Sequence, residues 1–176
     1  MIVARMHDSG GIENLRIEDI EEPEMVDEEI LVKIRLAGLN PLDYNLIHGN
    51  VVYSVKPFPH IPGSEVIGEV ISDGKVLKKG DRVMVYNRIF DGNCDLCLSG
   101  KENLCYNGGI WGVISNGGFT EKISIQEKNL IKIPEVISDE LAVSTPIGAL
   151  TAYHALKKAN ASAGKNILIY GGIWKH

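Results

Sequence analysis

The sequence predicts a mainly β domain, a closed or nearly closed barrel, followed by a helical connection and one further strand. Short β-rich runs separated by Gly-rich turns fill the first two thirds of the chain, a pattern typical of barrels. The composition becomes helical after residue 138. The last apolar run, residues 167–170, lacks alternation, which indicates a strand covered on both faces of a parallel sheet.

The strand predictions rest on periodicity and on turn residues. In residues 28–39, apolar side chains alternate at Ile30, Val32, Ile34 and Leu36, as in a strand with one buried face. The other predicted strands are RIEDIEEP (16–23), EVIGEVISDG (65–74), DRVMVY (81–86) and two within GFTEKISIQEKNLIKIP (118–134). Pro134 marks the end of this β region.

The segment 138–160 predicts two helical pieces. Ser138 is suited to cap the first, and Asp139 and Glu140 follow in its first turn, where the helix dipole favours acidic residues. Pro146 cannot lie inside a continuous helix, so we expect the two pieces to meet there.

Composition narrows the class of protein. The chain has 176 residues, of which 44% are apolar and 23% charged, as in an ordinary globular protein. The net charge of −5 and the lack of a basic patch argue against nucleic acid and anionic membranes as partners. No apolar run reaches 18 residues and no signal peptide is recognisable. Three cysteines cannot all pair, so we expect reduced thiols and a cytoplasmic location.

All three cysteines lie within residues 89–105, in the spacing Asp91-x2-Cys94-x2-Cys97-x7-Cys105. Two residues between ligands allow a turn to direct both side chains at one ion, and a carboxylate is an acceptable fourth zinc ligand. Asp91 is therefore the predicted fourth ligand, with Asp95 or a water as alternatives. Four protein ligands leave no open position, so such a zinc would be structural. The alternative is three free thiols, or a disulfide with one thiol left over.

Several motifs resemble the medium-chain dehydrogenase/reductase superfamily, which includes zinc alcohol dehydrogenases and quinone oxidoreductases. The cysteine cluster is preceded by GDRVMVY and followed by GGFTEKI, as in the structural zinc lobe of that superfamily. The other matching motifs are AGLNPLDYNLIHG, FPHIPGSEVIGEV, TPIGALTAYHAL and GKNILIYGG. The resemblance covers nearly the whole chain, although the family's lobe usually has a cysteine where this chain has Asp91.

The resemblance implies two regions. Residues 1–135 resemble the GroES-like catalytic domain, a β-barrel whose structural zinc lobe spans about residues 87–112, named the metal lobe below. Residues 136–176 resemble the helical linker and the first strand of a Rossmann domain, which is incomplete here. Family members are about twice as long, so we expect a truncated or frameshifted gene product, or the boundary of an expressed piece.

The resemblance also implies that the catalytic zinc is missing. Asn40, Ser64 and Ile147 occupy the positions at which zinc alcohol dehydrogenases carry zinc ligands, and these side chains do not form a tight zinc site. His48 and His60 lie nearby and could replace them, but we interpret both as ordinary loop histidines. A zinc-dependent alcohol dehydrogenase with unusual ligands is therefore a disfavoured alternative.

The NPLDY motif instead resembles the quinone oxidoreductase branch, which transfers hydride from NAD(P)H without a catalytic metal. The predicted catalytic residues are Asn40, Asp43 and Tyr44, of which Asn40 and Tyr44 could donate hydrogen bonds to the acceptor oxygen. Thr151 would border the nicotinamide. The structural alternative is that Asn40 only marks a turn and that Asp43 only caps a short helix.

Gly171 would belong to the phosphate-binding turn of the dinucleotide site, but the sequence ends five residues later. We therefore expect an oxidoreductase-type domain that is inactive alone and binds NAD(P) poorly, with a non-enzymatic zinc-stabilised barrel as the alternative. The apolar run at 167–170, together with Trp174, is expected to pack on a partner copy, which predicts a homo-oligomer, most simply a dimer.

Overall fold

The computed structural model of the protein describes residues 1–26, 28–51 and 55–170. This part of the chain is mainly β, as the sequence predicts. Its strands are β1 (Ile2–Met6), β2 (Leu15–Asp19), β3 (Glu29–Gly38), β4 (Glu65–Val70), β5 (Arg82–Val85), β6 (Arg88–Ile89), β7 (Gly109–Ile110), β8 (Lys122–Gln126) and β9 (Leu130–Lys132). Its α-helices are α1 (Pro41–Ile47), α2 (Asp95–Leu98), α3 (Asp139–Val143) and α4 (Leu150–Lys158). The remaining helical turns are the 3-10 segments Ile12–Asn14, Glu102–Leu104 and Glu127–Asn129 and the π-helical segment Thr145–Ala149.

The main sheet has five strands in the order β8-β3-β4-β5-β9, and every neighbouring pair is antiparallel. The β1 and β2 strands form a separate two-stranded sheet, which contacts the segments before β8 and β4 through single bridges from Val3 to Thr120 and from Met6 to His60. The sheet curls into a half barrel, which confirms the predicted fold class. The small β6-β7 sheet forms the base of the metal lobe.

The register of β3 changes within the strand, and this alters the predicted buried face. Ile30 and Val32 are buried in the main core, as the alternation predicts, but Leu36 is 37% exposed. A register shift against β4 lies between Ile34 and Leu36. Such a bulge moves the following side chains to the other face of the sheet, so the apolar alternation does not continue as a buried stripe.

The main core is built around the five-stranded sheet. It contains buried residues from all five strands, from the β4-β5 connection and from the metal lobe: Ile30, Val32, Val66, Val70, Leu77, Val83, Val85, Trp111, Ile123, Ile125 and Leu130. At roughly 1.5–3 kcal/mol for each fully buried aliphatic side chain, this cluster is the main source of folding free energy for the barrel. Since Trp111 comes from the base of the metal lobe, the lobe and the barrel share one core.

The helical region begins and divides where the sequence predicts. The Ser138 hydroxyl accepts a hydrogen bond from the Leu141 amide at 3.3 Å and caps α3. Pro146 lies in the first turn of the π-helical segment that separates α3 from α4. Within the described residues, no helix is both long enough and apolar enough to cross a membrane.

The predicted strand at 167–170 is not observed. These residues are not paired with any strand of the described chain, and all four are exposed, with Tyr170 fully so. A strand requires a hydrogen-bonded neighbour, and none of the strands in the described ranges lies beside this run. Gly171 and Trp174 lie outside the described residues, and the predicted domain boundary near residue 135 stays a prediction.

Candidate functional site

The metal lobe is organised by two short elements around the three cysteines. Cys94 precedes α2, and its sulfur accepts a hydrogen bond from the Cys97 amide at 3.4 Å. The turn at Gly100 has a positive φ of 72° and leads to the 3-10 segment Glu102–Leu104, which ends at Cys105. All three cysteines are free of disulfides. The chain therefore brings three thiols to one side of a compact loop.

The four predicted metal ligands come together. One ligand atom from each of Asp91, Cys94, Cys97 and Cys105 lies within 4.8 Å of all the others. The sulfurs of Cys94 and Cys105 are 3.9 Å apart. In a tetrahedral site with zinc–sulfur bonds of about 2.3 Å, two sulfurs are separated by about 3.8 Å, so the spacing fits a zinc ion.

Asp91, and not Asp95, supplies the oxygen of this cluster. One carboxylate oxygen of Asp91 accepts hydrogen bonds from the amides of Asn93 (2.8 Å) and Cys94 (3.1 Å), and the other accepts one from the Asn107 side chain (2.7 Å). The Asn93 amide is the largest of several contributions that hold the pKa of the Asp91 carboxyl well below its usual range. The carboxylate is thus ionised and oriented before any cation binds. Hydrogen-bond partners commonly orient metal ligands in this way.

The thiols differ in their surroundings. Cys97 is buried, and burial raises the pKa of its thiol to about 12. The hydrogen bond from the Cys97 amide, the largest contribution, lowers the pKa of Cys94 below its ordinary value. Thiolates are the form that binds metals. A dication would therefore displace the proton of Cys97 and gain from a donor set of three sulfurs and one carboxylate, which is a set suited to zinc.

Replacing Asp91 by Asn should weaken zinc binding, because a neutral amide oxygen replaces an oriented carboxylate. We expect a loss of roughly 10- to 100-fold or more in zinc affinity, judged from the effect of removing groups that only support a ligand. Asp95→Asn, four residues away and exposed, is the matched control and should bind zinc as the natural chain does. Competition with a chromophoric chelator measures both, and equal affinities for the two variants would exclude Asp91 as a ligand.

A second cluster lies at the positions where the resemblance implies the ligands of a catalytic zinc. Its residues form hydrogen bonds centred on Glu65. The carboxylate of Glu65 accepts a hydrogen bond from the Asn40 side-chain amide at 2.7 Å. Its other oxygen accepts the amides of Ile147 at 2.7 Å and Gly148 at 3.4 Å. Glu65 is only 4% exposed. One side chain thus connects the start of α1, the start of β4 and the π-helical segment.

Asp43 is a buried structural residue in this arrangement. Its side chain is completely inaccessible and accepts hydrogen bonds from the amides of Asn40 (2.8 Å) and Ser64 (3.2 Å). Asn40, and not Asp43, is the N-cap residue of α1, and Asp43 lies three residues later, where its carboxylate reaches back to the cap. Burial raises the pKa of the Asp43 carboxyl, and these amide hydrogen bonds oppose that shift. The geometry therefore indicates a role in positioning Asn40.

Tyr44 is on the outer side of α1. It is 60% exposed, and its ring stacks on His48 with 4.0 Å between ring centroids. The ring nitrogen Nδ1 of His48 lies 2.8 Å from the backbone oxygen of Tyr44. Tyr44 and Asn40 therefore belong to the same helix end, but only the Asn40 amide enters the Glu65 cluster.

Among the described residues, Asp91, Cys94, Cys97 and Cys105 form the single group of three or more potential ligands close enough to hold a metal. His48 and His60 join no such group. His60 is completely buried, and its Nε2 donates to the backbone oxygen of Gly112 at 2.9 Å. Within the described chain, neither the other ring nitrogen of His60 nor the Ser64 hydroxyl has a hydrogen-bond partner.

The packing around Ser64 is tight. Gly112 has a φ of 82°, and a Cβ on it would lie 2.7 Å from the backbone oxygen of Gly63 and 2.9 Å from the Ser64 hydroxyl. Only glycine is compatible with both the backbone conformation and this close approach. Ser64 is fully buried, so its hydroxyl faces protein atoms at close range.

The buried imidazole of His60 predicts a loss of stability in mild acid. Burial lowers the pKa of His60, so below about pH 6.5 the unfolded chain binds a proton that the folded chain does not. Stability should therefore fall as the pH drops from about 6.5 toward 5, by up to about 1.4 kcal/mol per pH unit. His60→Gln should flatten this slope, whereas His154→Gln, at an exposed position, should retain it. Chemical unfolding at pH 5, 6 and 7 measures the slopes, and parallel slopes for the natural chain and His60→Gln would contradict the prediction.

A cleft of about 600 Å³ lies beside the Glu65 cluster, between α4 and the β5-β6 connection. Thr151, the residue predicted to border the nicotinamide, lines this cleft together with Ile147 and Leu150. Gly171, the other predicted cofactor contact, lies outside the described residues. The cleft has the size of an ordinary small-molecule site.

Residues 26–135, more than half of the chain, match the family described as Alcohol dehydrogenase GroES-like domain. The chain belongs to this family. It is 36% identical over 164 residues to an alcohol dehydrogenase of Geobacillus stearothermophilus, covering 89% of this chain and 48% of the relative. It is 28% identical over 173 residues to the acryloyl-coenzyme A reductase of Metallosphaera sedula, covering 97% of this chain and 50% of the relative.

Solved structures agree with this assignment. The cobalt- and zinc-bound thermostable alcohol dehydrogenase of Pyrobaculum aerophilum matches with a TM-score of 0.85 and 37% identity, over 93% of this chain and 50% of that one. The resemblance to the medium-chain dehydrogenase/reductase superfamily is thereby confirmed. The present chain spans about half the length of these two relatives.

Sequence reasoning missed the central residue of the second cluster in this GroES-like domain. Glu65 lies in the matching motif FPHIPGSEVIGEV, directly after Ser64, but the sequence alone predicts no role for it. The available signal was its neighbourhood, because Glu65 starts a strand whose other residues are almost all buried. A carboxylate in such a strand requires partners, and they come from residues 40, 147 and 148, which are distant in sequence.

Proposed function

We propose that this chain forms the catalytic-domain part of an NAD(P)-dependent reductase of the alcohol dehydrogenase and quinone oxidoreductase type, which transfers hydride without a catalytic zinc. In this proposal one structural zinc orders the metal lobe, bound by Asp91, Cys94, Cys97 and Cys105. The dinucleotide is bound chiefly by a nucleotide-binding part that completes the site. The three free thiols favour a reducing compartment, and we place the protein in the cytoplasm.

The observation that carries the proposal is the Glu65 cluster. Asn40, at a position where the resemblance implies a zinc ligand, donates instead to the Glu65 carboxylate, which also accepts the Ile147 amide. These contacts supply the connections between α1, β4 and the π-helical segment that a bound cation could otherwise provide. A zinc ion at this position would have no thiolate or imidazole among Asn40, Ser64 and Ile147.

In the proposed reaction, hydrogen-bond donors replace the metal in stabilising negative charge on the acceptor oxygen. An amide nitrogen has two N–H groups, and the Asn40 amide uses one on Glu65, so one remains for an acceptor. The Tyr44 hydroxyl, on the same helix end, is the second proposed donor. Preorganised donors of this kind typically contribute roughly 2.7–4 kcal/mol to transition-state stabilisation. NAD(P)H, when bound, would supply the hydride and become NAD(P)⁺, and water would supply the proton that completes the reduction. Thr151 is the residue proposed to border the nicotinamide.

The name of one relative favours reduction of a conjugated double bond. The Metallosphaera sedula protein is an acryloyl-coenzyme A reductase by name, and the match covers 97% of the present chain. The Geobacillus relative is an alcohol dehydrogenase by name. We favour double-bond reduction over alcohol oxidation because of the Glu65 cluster. Alcohol oxidation at a zinc centre requires ligands that Asn40 and Ile147 do not supply.

A chimera tests the proposal. This chain would replace the matched half of the Geobacillus stearothermophilus alcohol dehydrogenase, whose remaining half would supply the nucleotide-binding part. We expect oxidation of NADH or NADPH in the presence of a conjugated enone, and no oxidation of ethanol. Asn40→Ala should lower kcat for the enone by roughly 10²-fold or more without loss of zinc.

The parent alcohol dehydrogenase is the matched control for folding and cofactor binding. A chimera that oxidises ethanol, or whose enone reduction requires a second zinc ion, would contradict the proposal. A chimera that binds NADH but reduces no acceptor would favour the second candidate function, a non-enzymatic zinc-stabilised barrel. That candidate is favoured by Asp43, whose completely buried carboxylate accepts the amides of Asn40 and Ser64 and so has a structural role.

We further propose that the chain forms a homo-oligomer, most simply a dimer, through its apolar C-terminal run. Leu168 and Tyr170 are 91% and 100% exposed, and such a run gains free energy by packing on a second copy. Light scattering on the chain with and without residues 165–176 tests this proposal. We expect a dimer that dissociates after the deletion, and a monomer in both samples would refute it.

A further inference from the structure

The cleft beside α4 has an unusual distribution of charge. Its lining includes the polar side chains of Tyr86, Arg88, Thr151 and His154, and the carbon side chains of residues such as Leu42. None of the described residues that line the cleft is an aspartate or a glutamate. The only formal side-chain charge among the described lining residues is therefore the positive charge of Arg88, if His154 is neutral.

Arg88 is held in place by its backbone and not by its side chain. Its backbone oxygen accepts a hydrogen bond from the Asn129 side chain at 2.6 Å, and β6 pairs with β7 through Arg88 and Ile110. Within the described ranges, the guanidinium group makes no hydrogen bond and no ion pair, although the residue is half-buried. A guanidinium in a cleft, with five N–H donors and no protein acceptor, is suited to bind an external anion.

The nearest acidic group identified, Glu102, is not paired with Arg88. Burial raises the pKa of the Tyr86 hydroxyl; nearby Glu102 adds to the shift and Arg88 opposes it, so both charged groups lie near Tyr86. Glu102 does not form an ion pair with Arg88 in the described structure, and it is not part of the cleft lining. The cleft therefore presents an unpaired cation beside one phenol hydroxyl.

The geometry points to a cleft that selects substrates carrying an anionic group, a carboxylate or a phosphate, with Arg88 as the specificity-determining residue. This inference rests on the proposed function, since it names the substrate class of the same site. The anionic group would bind the Arg88 guanidinium through paired hydrogen bonds. The carbon skeleton would lie against Leu42, Ile147 and Leu150, next to Thr151.

Binding of small conjugated ligands to the zinc-loaded full chain tests the inference without any hydride transfer. Crotonate and crotonamide have nearly the same shape and differ in charge, and inorganic phosphate reports on the other anion class. Saturation-transfer difference NMR, which observes the ligand, measures binding in the natural chain and in every variant, and the side-chain Nε–Hε resonance of Arg88 locates the contact in the natural chain. We expect crotonate to bind at least about tenfold more tightly than crotonamide, the preference expected of one charge-assisted paired contact.

Arg88→Gln should reduce the preference for crotonate to about one, and Arg88→Lys should retain part of it. Arg16→Gln is the matched control, because it removes the same charge from an exposed position on β2 and should leave the preference unchanged. Should Arg88→Gln not fold, the two ligands on the natural chain still decide the question.

Equal affinities for crotonate and crotonamide, or an equal loss in Arg16→Gln and Arg88→Gln, would overturn the inference and leave the proposed reaction standing. Phosphate binding that is tighter than crotonamide binding in the natural chain, and that Arg88→Gln abolishes, would support an anion site for phosphorylated substrates. Conversely, if the chimera transfers no hydride but the cleft still prefers crotonate, the proposed function is rejected and the anion site stands.

Discussion

Replacing Cys97 by Ser is expected to remove the metal and to destabilise the metal lobe. Cys97 supplies the buried sulfur of the cluster, and a serine hydroxyl does not replace a thiolate as a zinc ligand. Structural zinc supplies roughly 10 kcal/mol of binding free energy in zinc-finger peptides. We expect zinc content to fall to nearly none and the midpoint of thermal unfolding to fall by roughly 10 °C. Elemental analysis and calorimetry measure the two quantities.

The effect should extend beyond the lobe, because Trp111 belongs to the main core and is four residues from Asn107, which orients Asp91. Ser99→Ala is the matched control, since it alters a polar residue of the same loop outside the ligand set and should keep the metal. If Cys97→Ser retains the zinc of the natural chain, the three cysteines are free thiols and the interpretation of the lobe is wrong.

Replacing Asp43 by Ala is expected to cause a large loss of stability outside the metal lobe. The carboxylate is completely buried and accepts the amides of Asn40 and Ser64, so its removal leaves two donors without a partner. Each unsatisfied buried group costs about 1–3 kcal/mol, which predicts a loss of about 3 kcal/mol or more in the free energy of unfolding. Urea unfolding monitored by circular dichroism measures this loss.

Asp43→Asn retains one acceptor oxygen and should lose about half as much as Asp43→Ala. The exposed Asp8→Ala is the control for removal of a surface carboxylate and should change the free energy of unfolding by less than about 0.5 kcal/mol. A loss below about 1 kcal/mol for Asp43→Ala would contradict the structural role and return Asp43 to the candidates for catalysis.

The barrel strands and the metal lobe could be predicted from the sequence because both depend on local spacing. Alternation places Ile30 and Val32 in the core, and two-residue spacing brings Cys94 and Cys97 into one cluster of potential ligands. Strand β1, by contrast, was not predicted, since its attachment to the barrel depends on bridges to residues more than fifty positions away. The buried face of β3 also changes at a bulge that periodicity does not reveal.

The second cluster could not be predicted in full, because its contacts join distant parts of the chain. The motif identified Asn40 and Ser64 as positions of interest, but the bond from Asn40 to Glu65 spans 25 residues and that from Ile147 to Glu65 spans 82. Arg88 gave no signal, since an arginine after a strand is an ordinary surface residue. Its significance depends on the absence of acidic residues from the described cleft lining.

The number of zinc ions bound per chain distinguishes a domain with one structural zinc from a domain that also holds a catalytic zinc. The chain would be produced in zinc-supplemented medium, freed of loosely bound metal and measured by elemental analysis against protein concentration. We expect one zinc ion per chain, lost in Cys97→Ser and retained in Asn40→Ala, because the proposed lobe site is closed and the Glu65 cluster has no thiolate or imidazole ligand. Two zinc ions per chain, one of them lost in Asn40→Ala, would contradict this expectation.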